Sequence, residues 1–496
     1  MTIIRPKIQT YKQFTYASLA FFICGLASSQ SLQAKNNESV QPLNFIQGIA
    51  LPYSILDARL PLAANNEKIS IHNGGFGSDA AAHPIHANQF YALTDRGPNA
   101  DFKGSEGKGK QFLTPDYTPR IGLFELTAAG EIKLLKQILF KDRSGKLING
   151  LPNPKAMGGT NELAYDSAGK LITVDSSRPY DVSSNPSKTD PNGLDAEGLA
   201  ALKDGTFWVS DEYGPHIVHY NSEGVELQRI NAFAKDTRNN VVVNGKQVLL
   251  PVEFARRRAN RGMEGLTITP DQSTLVGIMQ SSMDNPDKSG RDSTLTRIVS
   301  INLRSGDIKQ YLYQQQRAGN ANSAIVAINN HEFYVIERDG DLPLQESKSQ
   351  KHIYKINLAN ATDIERITAN NNTVNNNTAE NSIAKNSIQR DPNTGILINN
   401  QTLEQYVAEE SDAWRKLAQL GIKPVAKQLV FDAVKELKYP HDKLEGLWLR
   451  QDGTLGLLND DDFSVETQEN KLSQKYLDKE GRIQDIGRLY IVKPKQ

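Results

Sequence analysis

Gly262-Met263-Glu264-Gly265-Leu266, running through the turn Pro270-Asp271-Gln272 into Thr274 to Met279, decides the fold of this chain, because the same design returns. It recurs at Asp195-Ala196-Glu197-Gly198-Leu199 and at Leu444-Glu445-Gly446-Leu447. Each Glu-Gly-Leu opens a short apolar strand, and a turn follows: Lys203-Asp204-Gly205 and Gln451-Asp452-Gly453 in the other two copies. A second apolar strand comes next, Thr206 to Ser210 and Thr454 to Leu458 in those copies. Weaker copies run from Asn161-Glu162-Leu163 to Asp175 and from Ser323 to Asp339, and a first one ends in Phe90 to Thr94 before Asp95. Third strands are expected at Ile217 to Tyr220, Thr296 to Leu303, Ile353 to Leu358 and Leu489 to Val492. Strand, tight Asp/Gly turn, strand and a further strand make a β-meander. Such a unit buries its faces only against its neighbours, so about six of them close radially into an all-β propeller. Closure then sets Leu489 to Val492 near Phe45 to Ala50. Irregular spacing of the copies speaks against a solenoid; a β-sandwich is the competing architecture.

Composition agrees with this reading. The 496 residues carry 57 basic and 57 acidic side chains, 36 Gly and 22 Pro. No basic excess points to nucleic acid or an anionic membrane. Arg5, Lys7 and Lys12 precede the apolar run Ala17 to Ala27, and Leu32-Gln33-Ala34 supplies small residues for cleavage, the pattern of a secretory signal over residues 1–34. The run is too short to span a bilayer. The single cysteine, Cys24, lies in it, and the bulky Phe21-Phe22-Ile23 before it argues against a lipidation site. Export without disulfides fits a bacterial periplasm, with no membrane attachment after cleavage. Residues 35–496 are read as one domain, with one segment that breaks the rhythm: 366–440, an insertion before the last repeat. Six of the eight residues from Asn370 to Asn377 are Asn, too polar to bury a core. Beyond them Leu403, Tyr406, Val407, Trp414 and Leu417 follow helical spacing, with a capping box at Thr402 and Gln405 and a stop at Gly421, a helical lid or brace.

The chemistry lies in carboxylates. There is no G-x-S-x-G, no H-E-x-x-H and no available thiol; Ser167-Ala168-Gly169-Lys170 fits S-x-x-K only as an Asp/Gly turn, and the eight histidines are scattered. Equivalent strand starts in a propeller converge, so Glu197, Glu264 and Glu445 are expected to point at one volume. Carboxylates sharing a site repel one another unless a cation joins them, and oxygen-only ligands favour Ca²⁺. Alternatively each glutamate accepts backbone N–H bonds from the neighbouring repeat and stitches the ring. Asp95 and Arg96, held by Gly97-Pro98, form a second constellation, in which the guanidinium suits an oxyanion; a local surface pair is the bland alternative. Ser210-Asp211-Glu212-Tyr213-Gly214-Pro215-His216 and Asn459-Asp460-Asp461-Asp462 are the matching loops. Arg256-Arg257-Arg258 with Arg261 reads as a solvated face or as positive charge for an anionic substrate.

TDRGPN at 94–99, DAEGLA at 195–200, FWVSDEYGP at 207–215, RGMEGLTITPD at 261–271 and LEGLWLRQDG with NDDDF at 444–463 together resemble the phytase-like, "esterase-like activity of phytase" family. The resemblance covers roughly Gln47 to Lys493. It implies the architecture of β-propeller phytases and a Ca²⁺-dependent phosphoesterase. Two departures stand out: the last loop reads Asn459-Asp460-Asp461-Asp462 where Asn-Asp-Asn-Asp is the family pattern, and the Asn-rich insertion is extra. The expected function is that of an exported monomeric hydrolase acting on a small anionic ester. Glu197, Asp211, Glu264, Glu445 and Asp460 would hold Ca²⁺, a metal-activated water would attack, Arg96 beside Asp95 would bind the phosphoryl group, and Glu212 or His216 would move protons. A lactonase or carboxylesterase of the gluconolactonase type, and a non-catalytic ligand-binding propeller, are the alternatives. Mass spectrometry of the exported protein should find its first residue at Lys35 or within a few positions; an intact Met1 would refute the leader.

Overall fold

The computed structural model of the chain describes residues 48–56, 68–367, 388–468 and 471–495. The leader, Cys24 and the Asn370 to Asn377 tract lie outside them. Five four-stranded antiparallel sheets account for most of the fold. In chain order, their first strands are Asp79–Ala82, Ala196–Ala201, Met263–Ile268, Ala321–Ala327 and Gly446–Leu449. Each first strand packs against those of the sheets before and after it, and the fifth returns to the first. The apolar cores repeat the same cycle. Tyr91 and Ile121 of the first sheet meet Leu199 and Val209 of the second; Trp208 and Ile230 meet Leu266 and Leu275 of the third. Ile278 and Ile298 meet Ile325 and Val335 of the fourth, Ile336 and Ile353 meet Leu447 and Tyr490 of the fifth, and Trp448 and Leu458 meet Phe90 and Phe124 of the first.

The Glu-Gly-Leu glycine is what lets the first strands approach. A Cβ on Gly198 would lie 2.6 Å from the Leu266 nitrogen, and one on Gly265 would lie 2.7 Å from the Ile325 nitrogen. Both are backbone atoms, which cannot move aside. The turns are equally local in origin: Asp204 and Asp452 each accept from the N–H and hydroxyl of the threonine two residues on, and Gly205 and Gly453 take the positive φ the turn requires.

The ends of the chain meet in the fifth sheet, where Ile49–Ala50 pairs antiparallel with Leu489 and Arg488. The expected closure therefore occurs. About six repeats were expected from the sequence, whereas five four-stranded sheets form among the described residues. The difference is the Asn161 to Asp175 copy: Leu163–Tyr165 pairs in parallel with Gly107–Phe112 in a small three-stranded sheet, and 171–175 makes only isolated bridges. The insertion also has different limits. Ala426–Asp432 pairs with Lys351–Asn357 as the outer strand of the fourth sheet, so the excursion ends before 426 and interrupts that sheet. The capping box at Thr402 and Gln405 is present, but the helical stretch is two helices, Leu403–Glu409 and Ala413–Gln419, broken where Asp412 adopts positive φ. They brace the outside of the third sheet: Leu403, Tyr406 and Leu417 pack with Leu295 and Leu312. Glu404 accepts from Arg297 Nε and Nη2 at 2.7 and 3.0 Å, with both side chains fully buried. Among the described residues no helix is long and apolar enough to cross a membrane.

Gly265→Ala should cost about 1–3 kcal/mol in chemical denaturation, the usual penalty of forcing atoms into a packed interior. Gly340→Ala, where a Cβ meets nothing within 4 Å, should be neutral.

Candidate active site

Where the five first strands converge, carboxylates crowd together. Asp195 and Glu197 are two apart, flanking the start of the second sheet's first strand, and alternation puts them on one side. Asp95 comes from the loop after Gln89–Leu93. One oxygen from each of these three buried residues lies within 4.8 Å of the others, a spacing that can hold a metal ion. Glu264, Glu212 and Glu445 complete the acidic group around Glu197.

Burial is the dominant influence on the carboxyls of Asp95, Asp195, Glu197, Glu212 and Glu264. It pushes Asp95 up to about 8, helped by the Asp195 charge, and Glu264 up to about 7, helped by Glu445. Glu197 and Glu212 are driven well above the carboxylate range by burial and then by Glu264. Among the described residues, Glu212 Oε1 and Glu264 Oε2 of the group and Oδ2 of nearby Asp211 have no hydrogen-bond partner, and Asp195 Oδ2 has only the ion-pair contact of Arg96 Nη1 at 3.3 Å. Buried polar atoms are ordinarily satisfied. A hard cation fits this donor set, which is all oxygen and contains no sulfur or imidazole.

The fourth sheet supplies the counter-charge. Its first strand has Ser323 where the three Glu-Gly-Leu copies have glutamate. Arg338, at the end of its second strand, donates from Nε to Ser323 Oγ at 3.0 Å and from Nη2 to Glu445 Oε1, with Glu264 Oε1 3.9 Å away. Glu445 is thereby an ion-pair partner, and only Glu197 of the expected metal set belongs to the metal-spaced trio. Asp460 is likewise taken, accepting from Lys443 Nζ at 2.7 Å, while Lys443 also reaches Asp462. Asp211 accepts the N–H groups of His216 and Gly214 at 2.7 and 3.2 Å, which fixes its loop; burial lifts it to about 6. Glu264 accepts from Gln280 at 2.6 Å and faces Glu212.

Arg96 is committed internally. Its Nη1 lies 2.9 Å from Glu162 Oε1, 3.3 Å from Asp195 Oδ2 and 3.3 Å from Asn260 Oδ1. His216 is fully buried between two amides, with Nε2 2.9 Å from Asn153 Oδ1 and Nδ1 3.1 Å from Asn231 Nδ2, and burial holds it neutral. That environment suits a loop-fixing imidazole rather than a proton carrier. Glu162, Asn260 and Arg338 escaped sequence reasoning as site residues. Asp195 had a signal, its two-residue spacing from Glu197. The stitch that the glutamates were considered for is made by Asp79, whose carboxylate accepts from Leu199 N at 2.8 Å and from the Leu447 amide, tying the first sheet to the second and fifth.

The chain belongs to the phytase-like family, described as esterase-like activity of phytase, whose model matches residues 71–463. An uncharacterized secreted protein of Arthroderma benhamiae is 38% identical over 104 residues, 18% of this chain and 20% of that protein, so the match spans about a fifth of the relative's length. Among solved structures, the periplasmic gluconolactonase of Pseudomonas aeruginosa aligns with 10% identity and a TM-score of 0.29, covering 86% of this chain and 88% of that one. A putative oxidoreductase (glucose dehydrogenase) of Thermus thermophilus aligns with 9% identity and a TM-score of 0.30, covering 88% and 99%.

Carboxylates whose folded pKa is raised bind protons that the unfolded chain, titrating near 4, releases. Their destabilisation is present above the folded pKa and relieved as pH falls through it. With chelator present, the melting temperature should therefore rise as pH is lowered from about 8.5 to about 7, through the values of Asp95 and Glu264 and above the range where buried histidine intervenes. Saturating Ca²⁺ should flatten that slope. A melting temperature that falls over this interval in chelator would contradict the clustered-carboxylate account.

Proposed function

We propose that the protein is an exported, monomeric, Ca²⁺-dependent hydrolase of phosphate esters, built on a five-bladed propeller whose central carboxylates hold the metal. The observation that carries this reading is the set of unpartnered buried carboxylate oxygens beside the Asp95–Asp195–Glu197 trio. Family membership supports ester hydrolysis, and the N-terminal pattern supports export. Ca²⁺, when bound, supplies Lewis-acid polarisation of the ester and of water.

The chain's own residues divide the remaining work. Asp95, Asp195 and Glu197 supply the oxygen ligands. Glu212 and Glu264 face each other, and their mutual repulsion favours one shared proton near neutral pH. Gln280 Nε2 occupies Glu264 Oε1, which leaves Oε2 free to carry or accept that proton. Glu212 Oε1 has no competing donor and is the second candidate to hold it. Arg338 pairs with Glu445 and holds it out of the exchange. Asp95, Glu197 and Glu212 keep small residual exposure, at 7, 8 and 6%, which supports substrate approach from their side.

Calcium should raise the melting temperature along RT ln(1 + [L]/Kd), about 2.7 kcal/mol at a hundredfold excess over Kd. Glu197→Gln should weaken that response about tenfold or more, and should lower hydrolysis of a chromogenic phosphomonoester in parallel. Assays on the phosphomonoester, a phosphodiester and a short-chain acyl ester, with Ca²⁺ and with chelator, decide the substrate class. Calcium-independent turnover, or turnover of the acyl ester alone, would overturn the reading.

A further inference from the structure

Among the described residues, two arginines beside the carboxylate cluster carry charge that no contact neutralises. The basic run divides sharply. Arg256 donates to the carbonyls of Pro286 and Asn393 at 2.7 and 3.1 Å. Arg257 Nη2 donates to the carbonyls of Gly158 and Tyr213. Among the described residues the side chains of Arg258 and Arg261 make neither a hydrogen bond nor an ion pair, and the buried Nη1 of Arg261 is left without a partner there. Both side chains are half-buried. The charges near Arg261 are Arg338, Glu212, Glu264 and Arg291; those near Arg258 are Arg261, Arg291, Asp284 and Asp292. Three of these neighbours are already paired, since Arg291 forms a two-pronged pair with Asp284 at 2.6 Å and Arg338 pairs with Glu445. Glu212 and Glu264 remain near Arg261 and Asp292 near Arg258, none at ion-pair distance, and the two arginines repel each other in a partly dry setting.

The turn that presents them is held from outside. Arg258 and Arg261 bridge across it, and Asn260 between them takes a positive φ of 53°. Asn260 Nδ2 donates to Glu162 Oε2 at 2.8 Å, and its Oδ1 accepts from Arg96 Nη1 at 3.3 Å. The residue after the turn, Gly262, lies so close to Glu212 that a Cβ there would be 2.5 Å from the Glu212 Cα. The Arg96–Glu162 pair thus fixes the turn directly against the cluster.

We propose that Arg258 and Arg261 are the receptor for a phosphate dianion carried by the substrate, with Arg96 and Asn260 as positioning residues. A guanidinium fork matches phosphate oxygens two at a time. A phosphate group brings about −1.5 to −2 charges at neutral pH, enough to neutralise both arginines, where a single carboxylate would leave one unmatched. The proposal deepens the ester-hydrolase reading by naming what recognises the substrate's charge, and it rests on that reading only for the face the substrate enters.

Calorimetric titration with inorganic phosphate, at millimolar Ca²⁺ below the calcium phosphate solubility limit and at low salt, tests it. Wild-type protein should bind saturably. Arg258→Gln and Arg261→Gln should each weaken binding at least tenfold, Arg261→Lys should weaken it less, and Arg415→Gln on the brace should leave it unchanged. If Arg261→Gln does not fold, Arg258→Gln and Arg261→Lys carry the comparison. No phosphate binding by the wild type, affinity within twofold in Arg258→Gln and Arg261→Lys, or equal competition by acetate would each overturn the assignment. A separate Ca²⁺ titration in phosphate-free buffer keeps the two readings apart: absent Ca²⁺ binding with arginine-dependent phosphate binding sinks the metal-hydrolase reading and upholds the receptor.

Discussion

Backbone-to-backbone contact between the first strands of neighbouring sheets is the constraint on which the rest of this structure depends. At Gly198 and Gly265 the next strand stands where a side chain would begin, and at Gly77 the Asn459 carbonyl closes the ring in the same way, 2.2 Å from where a Cβ would lie. Strands this near leave no room for apolar side chains at the centre. Apolar burial is displaced outward into five intersheet cores, where aromatic and branched residues fill the widening gap between sheets. The centre is left with short polar side chains and the ends of glutamates.

That displacement creates the electrostatic problem the protein must solve. Each Glu-Gly-Leu glycine that permits close approach also brings its preceding glutamate toward its neighbours. Burial and mutual repulsion then oppose ionisation, and Glu264 is held at about 7. The molecule answers partly with its own cations. Arg338 enters from the fourth sheet, whose first strand has Ser323 in place of the glutamate, and Arg96 is drawn in by Glu162 and Asp195. The acidic loop of the fifth sheet is handled separately by Lys443 and Lys475, the second of which lies 2.6 Å from Asp462 Oδ2 and 2.9 Å from Asp442 Oδ1. What remains without an ion pair among the described residues is Asp95, Glu197 and Glu212, with Glu264 only at the edge of Arg338's reach at 3.9 Å. The chemistry is assigned to these residues for that reason, and not because they are acidic.

The brace follows a different logic. Arg297 and Glu404 are both fully buried, with Glu253 and Gln310 completing the network. Taking one partner away from such a pair typically costs about 3–5 kcal/mol, because a charge is left behind without water. The pair therefore specifies where the insertion docks more than it adds net stability, and it holds the insertion on the outer side of the third sheet.

The sequence by itself determined the repeat, the strands and their Asp/Gly turns, the closure of the two ends in one sheet and the capped start of the brace. These are local or periodic consequences of backbone chemistry: alternation, positive φ at glycine, and side-chain oxygens bonding N–H groups two residues on. It also marked Glu197, Glu264 and Glu445 as neighbours, since equivalent strand starts meet wherever repeats close into a ring. Only the tertiary structure decided which carboxylates keep their charge free. Glu445 and Asp460 look no different from Glu197 in sequence, yet each meets a cation from a loop or sheet elsewhere in the fold. Likewise, nothing in Arg256-Arg257-Arg258 and Arg261 distinguishes the two arginines bound to carbonyls from the two left over. Ion pairing acts over a few ångströms in three dimensions and is blind to separation along the chain.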